Sequence, residues 1–169
     1  MLRSFVFTCT AVLALGALPV LAATPALENT ERDSYLNQLK QQHVTTSERT
    51  ALLAQANNLL SQHALLRGYQ LDQPQPQDFL FSLQLPEPGV LRIREERTGS
   101  DGALHIKNRS LTVYGLNPFF DYQCKKRQPD CSILHESQQT PLLRIVRRPE
   151  AAAELAKVLS YLMRDIQRD

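Results

Sequence analysis

The clearest periodic signal lies near the C-terminus. Leu155, Leu159, Leu162 and Ile166 recur at three- and four-residue spacing, and Val158 and Met163 widen the stripe. This is one face of a helix of 3.6 residues per turn, and it predicts a helix over 149–167. Pro149 suits the first turn, where its missing N–H is not needed. Glu150 and Glu154 sit near the positive end of the helix dipole, Arg164 and Arg168 near the negative end. Each buried side chain of such a stripe contributes roughly 1.5–3 kcal/mol before entropy is subtracted. The stripe is therefore expected to cover a sheet face. A second stripe, Leu52, Leu53, Ala56, Leu59, Leu60, His63 and Leu66, predicts another helix. Thr45 and Glu48 form its capping box and Gly68 its stop, with Gln55, Asn57 and Asn58 facing the other way. Thr30-Glu-Arg-Asp33 marks an earlier helix start, with Tyr35, Leu36 and Leu39 on one side. The residues from Thr24 to Thr30 are expected to be loose.

Between the helices the period falls to two. Phe79, Phe81, Leu83 and Leu85 alternate with Leu80, Ser82 and Gln84. Pro86-Glu-Pro-Gly89 turns the chain, and Val90 to Arg97 continues with Leu91 and Ile93 on one face, Arg92 and Arg94 on the other. Thr98-Gly-Ser-Asp-Gly102 predicts a hairpin loop. Two further strands are expected, Leu104 to Lys107 and Leu111 to Leu116, joined by a tight turn at Asn108-Arg109. Ile133-Leu134 and Leu142 to Val146 complete the strands. Short connections imply antiparallel neighbours, because a parallel pair needs a long crossover. Pro74 and Pro76 make the stretch from Tyr69 to Asp78 an extended linker.

The expected architecture is a single α+β domain over 23–169: a helical part at 23–68, a linker at 69–78, a sheet at 79–147 and the C-terminal helix. The sheet is expected to be an antiparallel five- or six-strand meander, with two N-terminal helices and the C-terminal helix packed on it. A partly open barrel capped by the C-terminal helix is the alternative.

The N-terminus changes the picture of where this domain works. Arg3 is the only charge ahead of a nearly continuous apolar run from Phe5 to Leu21, followed by Ala22 and Ala23. The run is close to the roughly 17-residue minimum for a membrane span. Pro19 and the small residues after it favour cleavage, so residues 1–22 are expected to be a signal peptide. No second long apolar run follows, so no transmembrane segment is expected after cleavage. The protein is expected in the periplasm, with secretion as the alternative. The formal net charge is only +2, and Arg3 would leave with the signal. Such a chain gives no general reason to seek nucleic acid.

Of the three cysteines, Cys9 lies in the signal segment. Cys124 and Cys131 in an exported chain predict one disulfide. With His135 they also resemble metal-ligand spacing, but zinc sites use tighter cysteine pairs and a second close pair. No metal and no cofactor are expected. Ser132, His135 and Asp121 or Glu136 make a triad on paper. However, there is no Gly-x-Ser-x-Gly elbow, no His-Glu-x-x-His and no phosphate-binding glycine loop. No catalytic residue is assigned; an enzyme would rest on His135 and Glu136. His63, on an apolar stripe, suits a boundary position.

The stapled loop is more informative. Lys125, Lys126 and Arg127 would be presented with little entropy left to lose, directly after Phe119, Phe120 and Tyr122. Aromatic and cationic residues of this kind are favoured at contact hot spots. These six residues form the candidate binding site; the plain alternative is a solvated loop whose aromatics anchor it to the core. Arg144, Arg147 and Arg148, with Arg92 and Arg94, add positive charge on strands nearby. The reading is an exported, non-enzymatic binding or interaction protein of the cell envelope, such as an inhibitor, an immunity-type partner or an assembly factor. Its partner would be a protein or an anionic envelope component. A small hydrolase of an envelope polymer and a carrier of a small apolar ligand are the alternatives. The oligomeric state is not legible.

Overall fold

The computed structural model describes residues 25–71 and 73–168. The expected signal segment lies outside them. Along the chain come α1 (Pro25–Gln42), α2 (Glu48–Gln62), β1 (Asp78–Glu87), β2 (Val90–Thr98) and β3 (Leu104–Thr112). Then follow β4 (Asp121–Gln123), β5 (Asp130–Leu134), β6 (Leu143–Val146) and α3 (Pro149–Ile166). The class is α+β, but the strands do not form one meander. They make two antiparallel three-stranded sheets, β1-β2-β3 and β4-β5-β6.

The division has a local cause. β3 runs straight through Asn108-Arg109, pairing Asn108 with Arg94 and Arg109 with Ile93, where a turn was expected. A two-residue turn needs positive φ, which Asn-Gly supplies and Asn-Arg does not. The chain turns later, where Leu116 N–H donates to Val113 O and Gly115 has φ 77°. That positive φ is open to glycine at no steric cost. The segment that follows starts the second sheet instead of extending the first.

The α3 stripe is buried throughout, and α3 packs on α2 and on β4 and β5. The core joins Leu52 and Leu60 of α2, Leu91 and Ile93 of β2, Ile133 and Ile145 of the second sheet, and Leu155, Leu159 and Leu162 of α3. Tyr35 ties α1 to α3 by donating to Glu154 Oε1. Burial, reinforced by that carboxylate, raises the Tyr35 phenol well above its ordinary value.

Five helix and linker details differ from the sequence reading. α1 runs through Thr30 instead of starting there. The cap of α2 is Ser47, whose Oγ accepts from Thr50 N–H at 3.2 Å, while Thr45 Oγ1 accepts from Ser47 N–H. Val44 has φ 48°, so the chain is still reversing direction at Thr45. The helix also stops at Gln62, well before Gly68, because Leu65 leaves to bridge Phe79. Gln55 is buried, its Oε1 meeting Gln42 Nε2 (3.3 Å) and His43 Nε2 (2.9 Å) at the α1–α2 corner. The expected extended linker is folded back on the domain. Gln70 is buried and donates to Gln77 O at 2.5 Å and to Leu65 O at 3.4 Å, and its Oε1 accepts from Gln77 N–H at 3.3 Å. One amide thus closes residues 70–77, supplying bonds that Pro74 and Pro76 cannot.

Candidate functional site

The inner face of the first sheet changes character along its length. Register places Leu83, Ile93 and Arg109 in one row, Phe81, Glu95 and Lys107 in the next, and Phe79, Arg97 and His105 in the last. α2 flanks the β1 edge at the apolar end, where Asn57 bonds the Leu83 backbone. The charged end borders the Thr140-Pro141 loop and β6, leaving a cleft of about 300 Å³.

Charges in this cleft are held in place. Glu95 is only 5% exposed, accepts from Arg97 Nε at 2.5 Å and lies 3.7 Å from Arg109 Nη2. Arg109 spans the two sheets, donating to Pro141 O at 3.1 Å and to Leu142 O. Arg144 pairs with the buried Asp130 at 2.9 Å. Its guanidinium also lies 4.8 Å from the Phe79 ring centroid, with that of Arg97 at 5.4 Å from the same ring. Cation–π contact and ion pairing together fix both guanidinium groups.

Adjoining depressions share these residues. Toward the stapled loop, Phe79 and Arg144 join Gln73, Gln75, Gln77 and Gln128. Beyond them lie Tyr69, Arg127 and Arg147. In the other direction Arg97 and Lys107 join Gln77 and His105. The result is a groove along the junction of the two sheets, cationic at its middle and both ends, with glutamine amides between. Each amide offers donors and an acceptor. Glu95 and Asp130, the two carboxylates in its walls, are already paired.

The sequence-derived site is divided by the fold. Cys124 and Cys131 are bonded. Lys125, Lys126 and Arg127 are exposed, but only Arg127 lines the groove. Phe120 is buried: its ring centroid lies 4.9 Å from that of His135, and its N–H donates to Ser160 Oγ at 3.0 Å. It anchors the loop to the core and is not presented. Tyr122 is exposed on β4. Phe119 is exposed beneath Arg164, at 4.5 Å, in a separate cleft with Arg32, Lys157 and Tyr161 between α1 and α3. There the cations are largely answered: Arg32 pairs with Asp33 and Glu48, Lys157 with Glu154.

Arg97, Lys107 and the glutamines of the connector were not among the expected contact residues. Parity carried the signal for Arg97: with Leu91 and Ile93 facing inward, residues 95 and 97 face inward too. Arg92 and Arg94 therefore lie on the opposite face, and Arg94 pairs there with Glu96 at 2.7 Å.

His135 is 3% exposed. Its Nε2 donates to Asn117 O at 2.7 Å, while Nδ1 accepts from Ser137 N–H at 3.2 Å and lies 2.7 Å from Ser137 Oγ. Both ring nitrogens thus fasten the loops on either side of β4 and β5. Neither Ser132, Asp121 nor Glu136 is bonded to it among the described residues. Among those residues no group of three or more His, Cys, Asp or Glu side chains is placed to hold a metal ion. No described helix is long and apolar enough to cross a membrane. Comparison with protein-family models, with curated proteins and with solved structures finds no match to this chain.

Proposed function

We propose that the protein is an exported, non-enzymatic binding protein of the cell envelope whose groove takes an extended acidic segment of a protein partner. One observation carries this reading: two guanidinium groups fixed over Phe79, in line with Lys107 at one end and with Arg127 and Arg147 at the other. A shallow track of cations and amides suits an anionic chain more than a compact molecule. The stapled loop supports the reading by restricting Arg127 before any partner arrives.

Lys107, Arg127 and Arg147 are exposed, and surface changes of this kind shift stability by no more than about 0.5 kcal/mol each. Changing all three to glutamine should weaken binding of labelled poly-L-glutamate by at least about tenfold in low salt. That is about 1.4 kcal/mol shared among three screened charges. Added salt should narrow the gap as screening shortens to roughly 8 Å at physiological ionic strength. Changing Lys125 and Lys126 instead should have a smaller effect. Unchanged affinity in the triple variant would remove the groove as the contact surface. Tighter binding of dextran sulfate at equal charge would overturn the choice of a protein partner.

Export rests on Arg3, the apolar run and the small residues after it. Protein recovered from the envelope should have an intact mass that begins at Ala23 or Thr24, and retention of Met1 to Leu21 would defeat this part of the reading.

A further inference from the structure

The two outer edges of the first sheet are treated differently. On β1, Phe79 N–H donates to Leu65 O at 2.9 Å, and Asn57 takes both the N–H and the C=O of Leu83. The odd-numbered residues of β1 therefore point their backbone groups away from β2. Antiparallel pairing passes that alternation across the sheet. With Leu83 opposite Ile93 and Ile93 opposite Arg109, the even-numbered residues Ile106, Asn108 and Ser110 of β3 point theirs outward. Among the described residues nothing bonds to this edge. An uncovered strand edge is a template for pairing with another chain.

The side chains beside the edge are sorted by face. His105, Lys107 and Arg109 point to the groove side. On the other face Leu104 is 55% and Ile106 48% exposed, and Ile106 shares a cross-strand row with Glu96 and the exposed Leu80. Successive side chains of an added strand alternate in the same way. Resting on the groove reading above, we propose that the acidic partner segment adds a strand to β3 where it passes the Lys107 end of the groove. Its recognisable pattern is then acidic residues alternating with apolar ones. The acids meet Lys107 and its cationic neighbours, and the apolar side chains cover Ile106 and Leu104. A second copy of this chain is the weaker occupant. Antiparallel pairing of two β3 strands about Asn108 sets Lys107 opposite Arg109 twice, and like charges directly opposite are destabilising.

The test uses the exported protein and a short labelled peptide of alternating glutamate and valine, followed by fluorescence anisotropy. Asn108→Pro removes an outward N–H and no bond to β2, and proline is tolerated on edge strands. It should melt normally and bind the peptide at least about tenfold more weakly. N-methylating alternate peptide residues should weaken binding in one of the two registers only. A peptide of the same composition with paired glutamates and paired valines should also bind more weakly. If Asn108→Pro fails to fold, the two N-methylated peptides decide. The inference is overturned if both bind as the parent does. In that case a loss in the Lys107, Arg127 and Arg147 variant would keep the groove reading, and no loss would end that reading as well. A peptide-free dimer in sedimentation that Asn108→Pro dissociates would give the edge to a second copy and also overturn the inference.

Discussion

Asn57→Ala is expected to destabilise the protein by about 2–4 kcal/mol, because it leaves two backbone groups of a core strand unpaired. Asn57 Nδ2 donates to Leu83 O at 3.1 Å, and Leu83 N–H donates to Asn57 Oδ1 at 2.7 Å. Leu83 is buried, so water does not readily replace both bonds. An unsatisfied buried donor or acceptor costs roughly 1–3 kcal/mol, against a typical total stability of only about 5–15 kcal/mol. Asn57→Asp keeps the acceptor and loses the donor, so it should fall between alanine and wild type. Urea unfolding would give the difference, and the Leu83 amide should exchange its hydrogen faster in the alanine variant. A loss under about 0.5 kcal/mol would place the side chain among ordinary surface positions.

That residue also marks the limit of what the sequence reveals. The leucine stripe of α2 correctly sets Asn57 on a different face from Leu52 and Leu60. Helical periodicity says where a side chain points, not what stands there; the edge of β1 does. Gln55 and Gln70 were hidden for the same reason, since a polar residue facing a buried backbone or amide looks like one facing water. Stripes decided by apolar area were read well: α3 is buried along the whole expected set, and β1 and β2 alternate as expected. β3 was misread because its apolar positions switch from even (Leu104, Ile106) to odd (Leu111, Val113) across the polar Asn108 and Arg109, which in sequence looks like a turn. Its extension comes from pairing with β2, a non-local cause. The candidate site followed the same rule. The cysteine pair and the exposed cations were visible as local clusters. The groove joins residues from the connector, from β2 and β3, from the stapled loop and from β6, which only the meeting of two sheets brings together.

Replacing Cys124 and Cys131 together by alanine is expected to lower stability by about 2.5 kcal/mol from chain entropy, for a ring whose ends are separated by 7 in sequence. The two ends of that ring are not equally dependent on it. Cys131 lies in β5 opposite Ile145, Asp130 holds Arg144, and Pro129 O accepts from Arg147 N–H at 2.8 Å. The β5 side should therefore stay in place when the bond is gone. Lys125, Lys126 and Arg127 are exposed, and beyond the bond they are held locally by turns back to Lys125 O. Their freedom should rise. Ordering a mobile side chain on binding costs about 0.5–1.5 kcal/mol, so poly-L-glutamate affinity should fall roughly threefold to tenfold through Arg127 alone. Binding must be measured where the double variant is still folded, with its melting curve recorded alongside. Arg127→Gln supplies the decisive comparison: it should weaken binding more in the bonded protein than in the double-alanine background. An equal loss in both backgrounds, or an affinity untouched by removing the bond, would make the staple a device of stability with no part in presenting the cation.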